Sequence, residues 1–298
     1  MSGAVFADVT SANVVGYQNI STDPETTETA QYPQFGFTFQ PIGDPEGWVS
    51  LGNVKVIGMD SYNGDYFYTL VQDDGTPTDV SYAYYDRASV ELGLADMFEP
   101  HEITEELITA CIGWWDMAGT TFTGNPDDKI DDVQVKAGTF FIADLYAKQN
   151  LDIQCAGEVQ KNEVNVRYTG ARYPTFANPI PRQIALREIT VAGMDAYNGE
   201  YFYTLLPEDG TPTDRSWAYY DRASVELGLA DMFEPQEITE ELITACIGWW
   251  DMTNTTFTGY PEDKIDDTLV NPGEAFIGDC PMNAESGDTA VISFPKGC

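Results

Sequence analysis

One long segment of this chain occurs twice. The stretch "SYAYYDRASVELGLADMFEPHEITEELITACIGWWDM" runs from Ser81 to Met117 and occurs again, almost letter for letter, from Ser216 to Met252. The two occurrences are 135 residues apart, and between positions 60 and 130 roughly four residues in five are identical to their partners. A repeat of this length indicates two copies of one structural unit, so it constrains the fold more than any other feature.

The limits of the two copies follow from the register of the match. Upstream, Tyr32 and Pro33 match Tyr173 and Pro174 at a shift of 141, so the first copy holds six extra residues. We place them in "GDPEGW", whose Gly, Pro and Asp are typical of a surface loop. The sequence predicts two domains, residues 1–159 and 160–298, held close together by the short junction "AGEVQKNEV".

The strand signals in each copy define the fold class. "NVKVIGMD" alternates, and "YFYTLVQ" and "SYAYYDR" flank the turn sequence "DDGTPTD", which predicts a hairpin. "VQVKAGTFFIAD" and "LDIQCAGEV" predict further strands, with counterparts in "TLVNPGEAFIGD" and "TAVISFPKG". No βαβ alternation is visible. We therefore predict a mainly β chain of two tandem antiparallel β-sandwich domains, each with a short helical insertion.

The helical insertion comprises "ASVELGLADMF" and "EITEELITACIG". In the second part, Leu107, Cys111 and one Trp of the following pair fall on one helix face, and Thr104 can cap the helix. Because Gly113 weakens a helix, we expect one or two helical turns that give way to a strand at the Trp pair.

The charge of the chain limits its partners. It carries 14 Lys and Arg residues against 49 Asp and Glu residues, a formal net charge of −35. Such a surface repels phosphate backbones and anionic membranes, so nucleic acid is excluded as a partner. No stretch approaches the ~18 consecutive apolar residues of a membrane span, so we predict no membrane insertion. Two interpretations of the many acidic residues stay open: they keep the protein soluble, for example at high salt, or they bind calcium.

Two equivalent acidic loops are the candidate metal sites. Carboxylate oxygens gathered in a flexible loop suit Ca²⁺, the one cofactor that the sequence indicates. Neither loop has EF-hand spacing, and simple turn chemistry is the alternative. For "DDGTPTD" and its counterpart, turn chemistry is the stronger interpretation. The candidate ligands in "PDDKIDD" and "PEDKIDD" are Asp127, Asp128, Asp131 and Asp132 in the first copy, and Glu262, Asp263, Asp266 and Asp267 in the second.

The five cysteines indicate structure rather than zinc chemistry, because no CxxC or Cys/His cluster exists. Cys111 and Cys246 are repeat equivalents inside an apolar run and are predicted to be buried thiols. Cys280 and Cys298 lie near the ends of a predicted final hairpin, where an oxidising compartment would allow a disulfide. Pairing among Cys155, Cys280 and Cys298 stays open.

Catalytic chemistry finds little support in the repeat. The only histidine, His101, is replaced by Gln236 in the second copy, so a histidine-based site would exist once at most. Asp116 and Asp251 follow Trp pairs, where a carboxylate could lie beside a sugar-stacking ring. The alternative is that the two Trp side chains point to opposite faces of a strand, one of them into the core. We predict that the protein is not an enzyme.

Arg87 and Arg222 follow "AYYD" in the two copies, in a chain with few basic residues. We expect each to pair with Asp86 or Asp221, or with another nearby acid, and to organise the loop that enters the helical insertion.

Short motifs carry a resemblance to a known class of proteins. "NVVGY" at residues 13–17, "GWWD" at 113–116 and the closing "VKAGTFFIAD…LDIQCAGEV" resemble secreted bacterial repeat proteins with β-rich surface modules. The second copy lacks "NVVGY" and ends in "FPKGC". The resemblance implies an extracellular or cell-surface location. "AVFADVTS" has small residues where a signal peptidase cuts, although too few residues precede them for a full signal peptide. Residues 1–7 are therefore a candidate signal-peptide remnant, and the alternative is a chance match in a cytosolic protein.

These features together favour a non-enzymatic structural subunit of an extracellular or cell-surface layer, fibre or filament, which self-associates through matching surfaces. The alternative is a carbohydrate-binding module or adhesin with duplicated aromatic sites and a glycan partner. A carboxylate hydrolase is the third hypothesis. A deep pocket with converging acids in only one copy would contradict the structural hypothesis.

Overall fold

The computed structural model describes residues 15–21, 32, 34–40, 48–117, 122–136, 138–146, 151–159, 163–205, 210–253 and 257–296. In the first copy the elements are β1 Val15–Ser21, β2 Gln34–Gly36, β3 Phe39–Gln40, β4 Trp48–Ser50, β5 Val54–Ile57, β6 Tyr66–Leu70, β7 Pro77–Tyr85, α1 Arg87–Met97, α2 Glu105–Cys111, β8 Gly113–Asp116, β9 Gln134–Lys136, β10 Phe140–Asp144 and β11 Asp152–Val159. In the second copy they are β12 Val164–Thr169, β13 Thr175–Ala177, β14 Ile184–Ala185, β15 Thr190–Ala192, β16 Tyr201–Leu205, β17 Pro212–Tyr220, α3 Arg222–Met232, α4 Glu240–Cys246, β18 Gly248–Asp251, β19 Leu269–Val270, β20 Ala275–Asp279, α5 Pro281–Ser286 and β21 Thr289–Phe294.

Each copy is an antiparallel sandwich. In the first copy a five-stranded sheet, in the order β2-β10-β6-β7-β8, faces a sheet formed by β1, β11, β3 and β5. The second copy repeats the five-stranded sheet as β13-β20-β16-β17-β18, opposite a sheet of β12, β21 and β15. Alternating side chains of these strands fill the space between the sheets; Phe67 and Phe141 lie in this core in the first copy, and Phe202 and Phe276 in the second.

The helical insertion covers part of the outer face of each five-stranded sheet. Asp86 caps α1 by accepting a hydrogen bond from the Ser89 backbone N–H, and Thr104 caps α2 by accepting one from Leu107. Glu105 and Glu106 occupy the first turn of α2, where the helix dipole favours negative charge. Helix α2 ends at Cys111 and the chain enters β8 directly, so the helix gives way to a strand at the Trp pair as predicted.

The two copies pack against each other around an approximate two-fold axis. Gly36 of β2 donates a backbone hydrogen bond to Gly273 at 3.0 Å, and its repeat equivalent Ala177 of β13 donates one to Gly138 at 2.9 Å. The pairing is reciprocal, because position 138 of one copy corresponds to position 273 of the other. Such self-complementary contact is the geometry of an isologous dimer interface, found here inside one chain.

An apolar cluster fills this contact, which we call the seam. Its buried members come from both copies: Phe140, Ile142, Ala177, Ala275 and Ile277. The helices pack over the β7–β8 and β17–β18 side of the sheets, whereas the seam lies at the β2–β10 and β13–β20 side. Each helical insertion is therefore far from the partner copy.

The structure confirms the predicted fold class, a mainly β chain of two antiparallel β-sandwich units with short helical insertions. The described strand pairings join only strands from the same side of the predicted 159/160 boundary. One local prediction was wrong: the segment after Cys280 is not a hairpin. Pro281 at the first helical position and Gly287, with φ 72°, at the end allow it to form the short helix α5 before β21. Of the predicted loop insertion at residues 43–48, residues 43–47 lie outside the described residues, as does the segment 1–7, whereas Trp48 begins strand β4.

Candidate functional site: twin helical faces and acidic loops

Each copy presents the same exposed surface, which we call the helical face: residues 87–106 in the first copy and 222–241 in the second. Leu92 and Met97 are exposed apolar side chains on α1, with side-chain exposures of 48% and 44%, and Leu227 and Met232 are their equivalents on α3. The two faces differ in sequence only at His101, which is Gln236 in the second copy. His101 lies in an exposed turn of this surface.

Charge dominates the helical face. Arg87 is held by Glu91, at 2.8 Å, and by a bidentate ion pair with Glu105 that links α1 to α2. Asp96 accepts a hydrogen bond from the Tyr62 hydroxyl at 2.7 Å. The second copy repeats the ion pairs through Arg222 and the hydrogen bond through Tyr197 and Asp231. The predicted pairing of the arginine with a nearby acid is thus supported: its partners are Glu91 and Glu105, and Asp86 instead caps the helix.

The Trp pairs are buried on both faces of their strands. Trp114 packs in the core between the sheets, and Trp115 packs under the helices. Their indole N–H groups donate to the backbone carbonyls of Val54 and Cys111, at 2.9 and 3.1 Å. The opposite-face interpretation holds, with the difference that both rings are buried because the helices form a second core. The rings of Trp249 and Trp250 are buried in the same way, so none of the four offers a stacking surface for a sugar.

The acidic loops hold the strands that carry the Trp pairs. Asp131 accepts a hydrogen bond from the Trp114 backbone N–H at 2.8 Å and pairs with Lys129, also at 2.8 Å. Lys129 in turn donates to the carbonyl of Ile112. Asp128 accepts a hydrogen bond from the Thr123 hydroxyl at 2.7 Å. The loop is thus fastened to the start of β8 by its own carboxylates.

The second loop repeats this arrangement. Asp266 accepts a hydrogen bond from Trp249 at 2.9 Å and pairs with Lys264, and Asp263 accepts one from Thr258. Asp267 forms an ion pair with Arg187. The remaining predicted ligands, which are exposed, are Asp127, Asp132 and Glu262.

Calcium binding at these loops stays a prediction. In the described part of the chain, no group of three or more His, Cys, Asp or Glu side chains is placed to hold a metal ion. Calorimetric titration with Ca²⁺ checks the prediction: Asp127→Asn and Asp132→Asn should weaken binding without loss of stability, because neither carboxylate fastens the loop.

The other predicted acidic turn has a structural role. Between β6 and β7, the Asp74 carboxylate accepts hydrogen bonds from the Thr76 backbone N–H and hydroxyl, at 2.9 and 2.6 Å. These bonds lower the pKa of Asp74. The turn interpretation of "DDGTPTD" is therefore supported. In the second copy, residues 208 and 209 lie outside the described residues.

An acidic cleft of about 390 Å³ occurs in the second copy, between residues 193–200 and α5. It is open to solvent. Its buried carboxylate, Glu200, accepts backbone hydrogen bonds from Asp195 at 2.8 Å and Asn283 at 2.6 Å. In the first copy Asp65 accepts equivalent bonds from Asp60 and Tyr146. The buried carboxylate therefore fastens a turn in both copies. Four acidic residues, Asp195, Glu200, Glu285 and Asp288, line the cleft, which is open to solvent and is not a deep pocket.

The three cysteines whose side chains the structure describes are buried thiols. Cys111, Cys246 and Cys280 are free and buried, which confirms the buried-thiol prediction for the first two. The Cys280 thiol contacts the Tyr168 hydroxyl, and burial raises its pKa above the ordinary value. Because Cys280 is a free thiol, the structure does not form the predicted pairings that involve it. Cys298 and the side chain of Cys155 lie outside the described residues, so a disulfide between these two stays a prediction.

Sequence reasoning missed the groups that line the seam. The partly buried tyrosines beside the apolar seam cluster come from strands that the alternating pattern places correctly, but nothing local shows that a second copy covers them. They are Tyr32 and Tyr68 in the first copy, and Tyr173 and Tyr203 in the second.

No protein-family model matches the chain, and no curated protein matches its sequence significantly. Within the described residues, no helix combines the length and the apolar character needed to cross a membrane.

Proposed function

We propose that the protein is a non-enzymatic structural subunit of an extracellular or cell-surface assembly, in which the twin helical faces bond neighbouring chains. The observation that carries the proposal is the uneven distribution of sequence identity between the two copies. Between positions 83 and 117 they differ at one position, although many of these residues are exposed. The segments after position 132 have diverged widely in the same chain.

This unevenness argues against recent duplication as the sole cause. Both parts of the repeat have existed for the same time, so the likeness of the helical segment needs a constraint of its own. Folding does not supply it, because exposed substitutions usually change stability by less than about 0.5 kcal/mol. Binding the same partner surface at both ends does supply it.

The geometry fits a two-ended connector. The reciprocal contacts at the seam join two copies that each carry one helical face, so face-to-face contact between chains produces an unbranched filament. Leu92 and Leu227 provide apolar contact area, and the surrounding carboxylates repel each other at low ionic strength. Assembly should therefore require salt or a bridging divalent cation.

Light scattering after size exclusion, together with electron microscopy, tests the proposal across a range of NaCl and CaCl₂ concentrations. The unmodified chain should form filaments once charge is screened. Leu92→Glu blocks one face and should stop growth at dimers, and Leu92→Glu combined with Leu227→Glu should give monomers. Leu269→Glu, at an equally exposed position outside the faces, is the matched control and should assemble normally. A strict monomer in every condition overturns the proposal.

The glycan-binding alternative has less support, because its proposed Trp stacking surfaces are buried. A glycan array separates the two functions: binding of a defined sugar by a chain that stays monomeric would favour the adhesin. Substrate screening with measurable turnover would favour the hydrolase instead. The extracellular location rests on the resemblance to secreted repeat proteins, and surface labelling of intact cells tests it.

A further inference from the structure

A cluster of tyrosines and one carboxylate lies beside the seam in the first copy. The Tyr66 hydroxyl donates to Asp144 at 3.0 Å, and the rings of Tyr66 and Tyr68 lie 6.0 Å apart with a 46° tilt. Tyr32 lies near both rings. Burial, followed by the hydrogen bond to Asp144, raises the pKa of Tyr66 to about 12, so the phenol remains a neutral donor. We call this group the first tyrosine cluster.

The second copy contains the same cluster at equivalent positions. Tyr201 and Tyr203 are 6.1 Å apart with a 49° tilt, Asp279 lies beside Tyr201, and Tyr173 lies near both rings. We call this group the second tyrosine cluster. Because strands β16 and β20 pair as β6 and β10 do, the two clusters share one backbone framework.

The chain itself supplies a cation to the second cluster. The guanidinium carbon of Arg172 lies 5.3 Å from the centre of the Tyr173 ring, and Arg172 Nε lies 3.6 Å from Asp279 Oδ1. That oxygen is buried and accepts no hydrogen bond from the described residues. A cation over an aromatic face and beside a buried carboxylate oxygen is stabilised by both.

The first cluster lacks this arginine in its sequence. The residue before Tyr32 is Gln31, at the position that Arg172 holds before Tyr173. Within the described residues, Asp144 forms no ion pair with a lysine or arginine. A partly buried carboxylate among aromatic rings, without a positive partner in the described part of the chain, favours a bound cation.

We propose that the first tyrosine cluster binds a guanidinium group, in the geometry that Arg172 adopts in the second cluster. The tyrosine rings provide the aromatic faces and Asp144 the counter-charge. Guanidinium is the favoured cation because it is planar, stacks on aromatic rings and sheds water more readily than an ammonium ion. The group can belong to a small molecule or to an arginine side chain of a partner, and the site is independent of the helical faces.

Ligand-detected NMR titration of the full chain with N-acetylarginine amide tests the inference. The unmodified chain should bind one equivalent, and the neutral isostere N-acetylcitrulline amide should bind at least about tenfold more weakly. A Gly/Ser peptide with one central arginine distinguishes the sources: tighter binding than the amide indicates a polypeptide partner, and equal binding indicates a small-molecule site. Equal binding of arginine and citrulline amides overturns the proposal.

The repeat provides matched variants. Asp144→Asn should weaken binding at least about tenfold, whereas Asp279→Asn should leave it unchanged. Gln31→Arg, which places an arginine at the sequence position equivalent to Arg172, should abolish binding, and Arg172→Gln should raise the stoichiometry from one to two. Near-ultraviolet circular dichroism checks that each variant is folded, and Tyr66→Phe, which keeps the ring, replaces Asp144→Asn if that variant unfolds. Absence of binding to the unmodified chain contradicts the inference, and so does a stoichiometry that stays the same after the substitutions at residues 31 and 172.

Discussion

Adding one methyl group at Gly36 should force the two copies apart. Gly36 lies at the seam, where a Cβ atom would fall 2.3 Å from the Cβ of Ala177 and 2.9 Å from the carbonyl oxygen of Thr139. The backbone dihedral angles of Gly36 are ones that any residue can adopt, so the effect of Gly36→Ala is steric and not conformational. The variant therefore tests the packing of the seam directly.

The structure gives the size of the effect. Carbon atoms pack best at about 3.5–4.0 Å, so the seam must open by about 1.2 Å or the strands must distort. Overpacking of this kind costs about 1–3 kcal/mol. The paired hydrogen bonds from Gly36 to Gly273 and from Ala177 to Gly138 would lengthen as well, at about 0.5–1.5 kcal/mol each. We expect a loss of about 2–6 kcal/mol in the free energy of unfolding.

Urea denaturation followed by near-ultraviolet circular dichroism measures this loss. Ala177→Gly removes the nearer obstacle, so combining it with Gly36→Ala should recover about 1–2 kcal/mol relative to additivity. The recovery is partial because the Thr139 carbonyl remains. If Gly36→Ala changes stability by less than about 0.5 kcal/mol, or if the two substitutions are additive, the reciprocal seam is not the packing of the folded chain.

Three further predictions follow from other parts of the fold. Gly113 has φ 144°, and a Cβ atom there would lie 2.6 Å from the Asp131 carboxylate, whereas Gly64 has φ 106° and no described atom would obstruct a Cβ atom there. Gly113→Ala should therefore lower the free energy of unfolding by about 1.5–3 kcal/mol more than Gly64→Ala does. Equal losses in urea denaturation would disprove the contact. In a variant whose other two cysteines are serine, the three buried thiols should resist a thiol reagent at about pH 8 and react after unfolding; rapid native labelling would show that they are accessible. Burial raises the pKa of Glu200, so the protonated carboxyl stabilises the folded state, and this stabilisation is lost as the pH rises through the pKa of the folded state. Between about pH 4.5 and 7 the unmodified chain should therefore lose more free energy of unfolding than the Glu200→Gln variant. Equal losses in the two proteins would contradict this assignment.

Local patterns in the sequence predicted much of the sandwich and of its insertion. The alternation around Tyr66–Leu70, the turn residues after it and the Thr104 cap each act through neighbours in the chain, so their structure could be read without knowing the fold. Helix α2 ends at Cys111, Ile112 is already extended, and Gly113 follows with a φ of 144° that is unfavourable for other residues, so a glycine at this point in the sequence marks the change from helix to strand.

Local sequence patterns predicted less of the candidate site than of the fold. The acidic residues predicted as calcium ligands lie on the expected loops, but Asp131 and Asp266 are engaged with Lys129 and Lys264 and with backbone N–H groups. Spacing along the chain cannot show this, because the lysine and the carboxylate meet only after the loop folds over the start of the strand. The Trp pair likewise needed the helices in place before both rings could be buried.

The sequence by itself determined that the chain is two copies of one aromatic-rich β unit, because repetition and hydrophobic alternation are properties of the chain alone. Only the tertiary structure decided how the copies meet. The seam brings together positions far apart in sequence, such as Gly36 and Ala177, and its apolar residues resemble those of any strand that faces a core. A pattern of burial shows that a face is covered, whereas the identity of the covering element depends on the packing of the whole molecule.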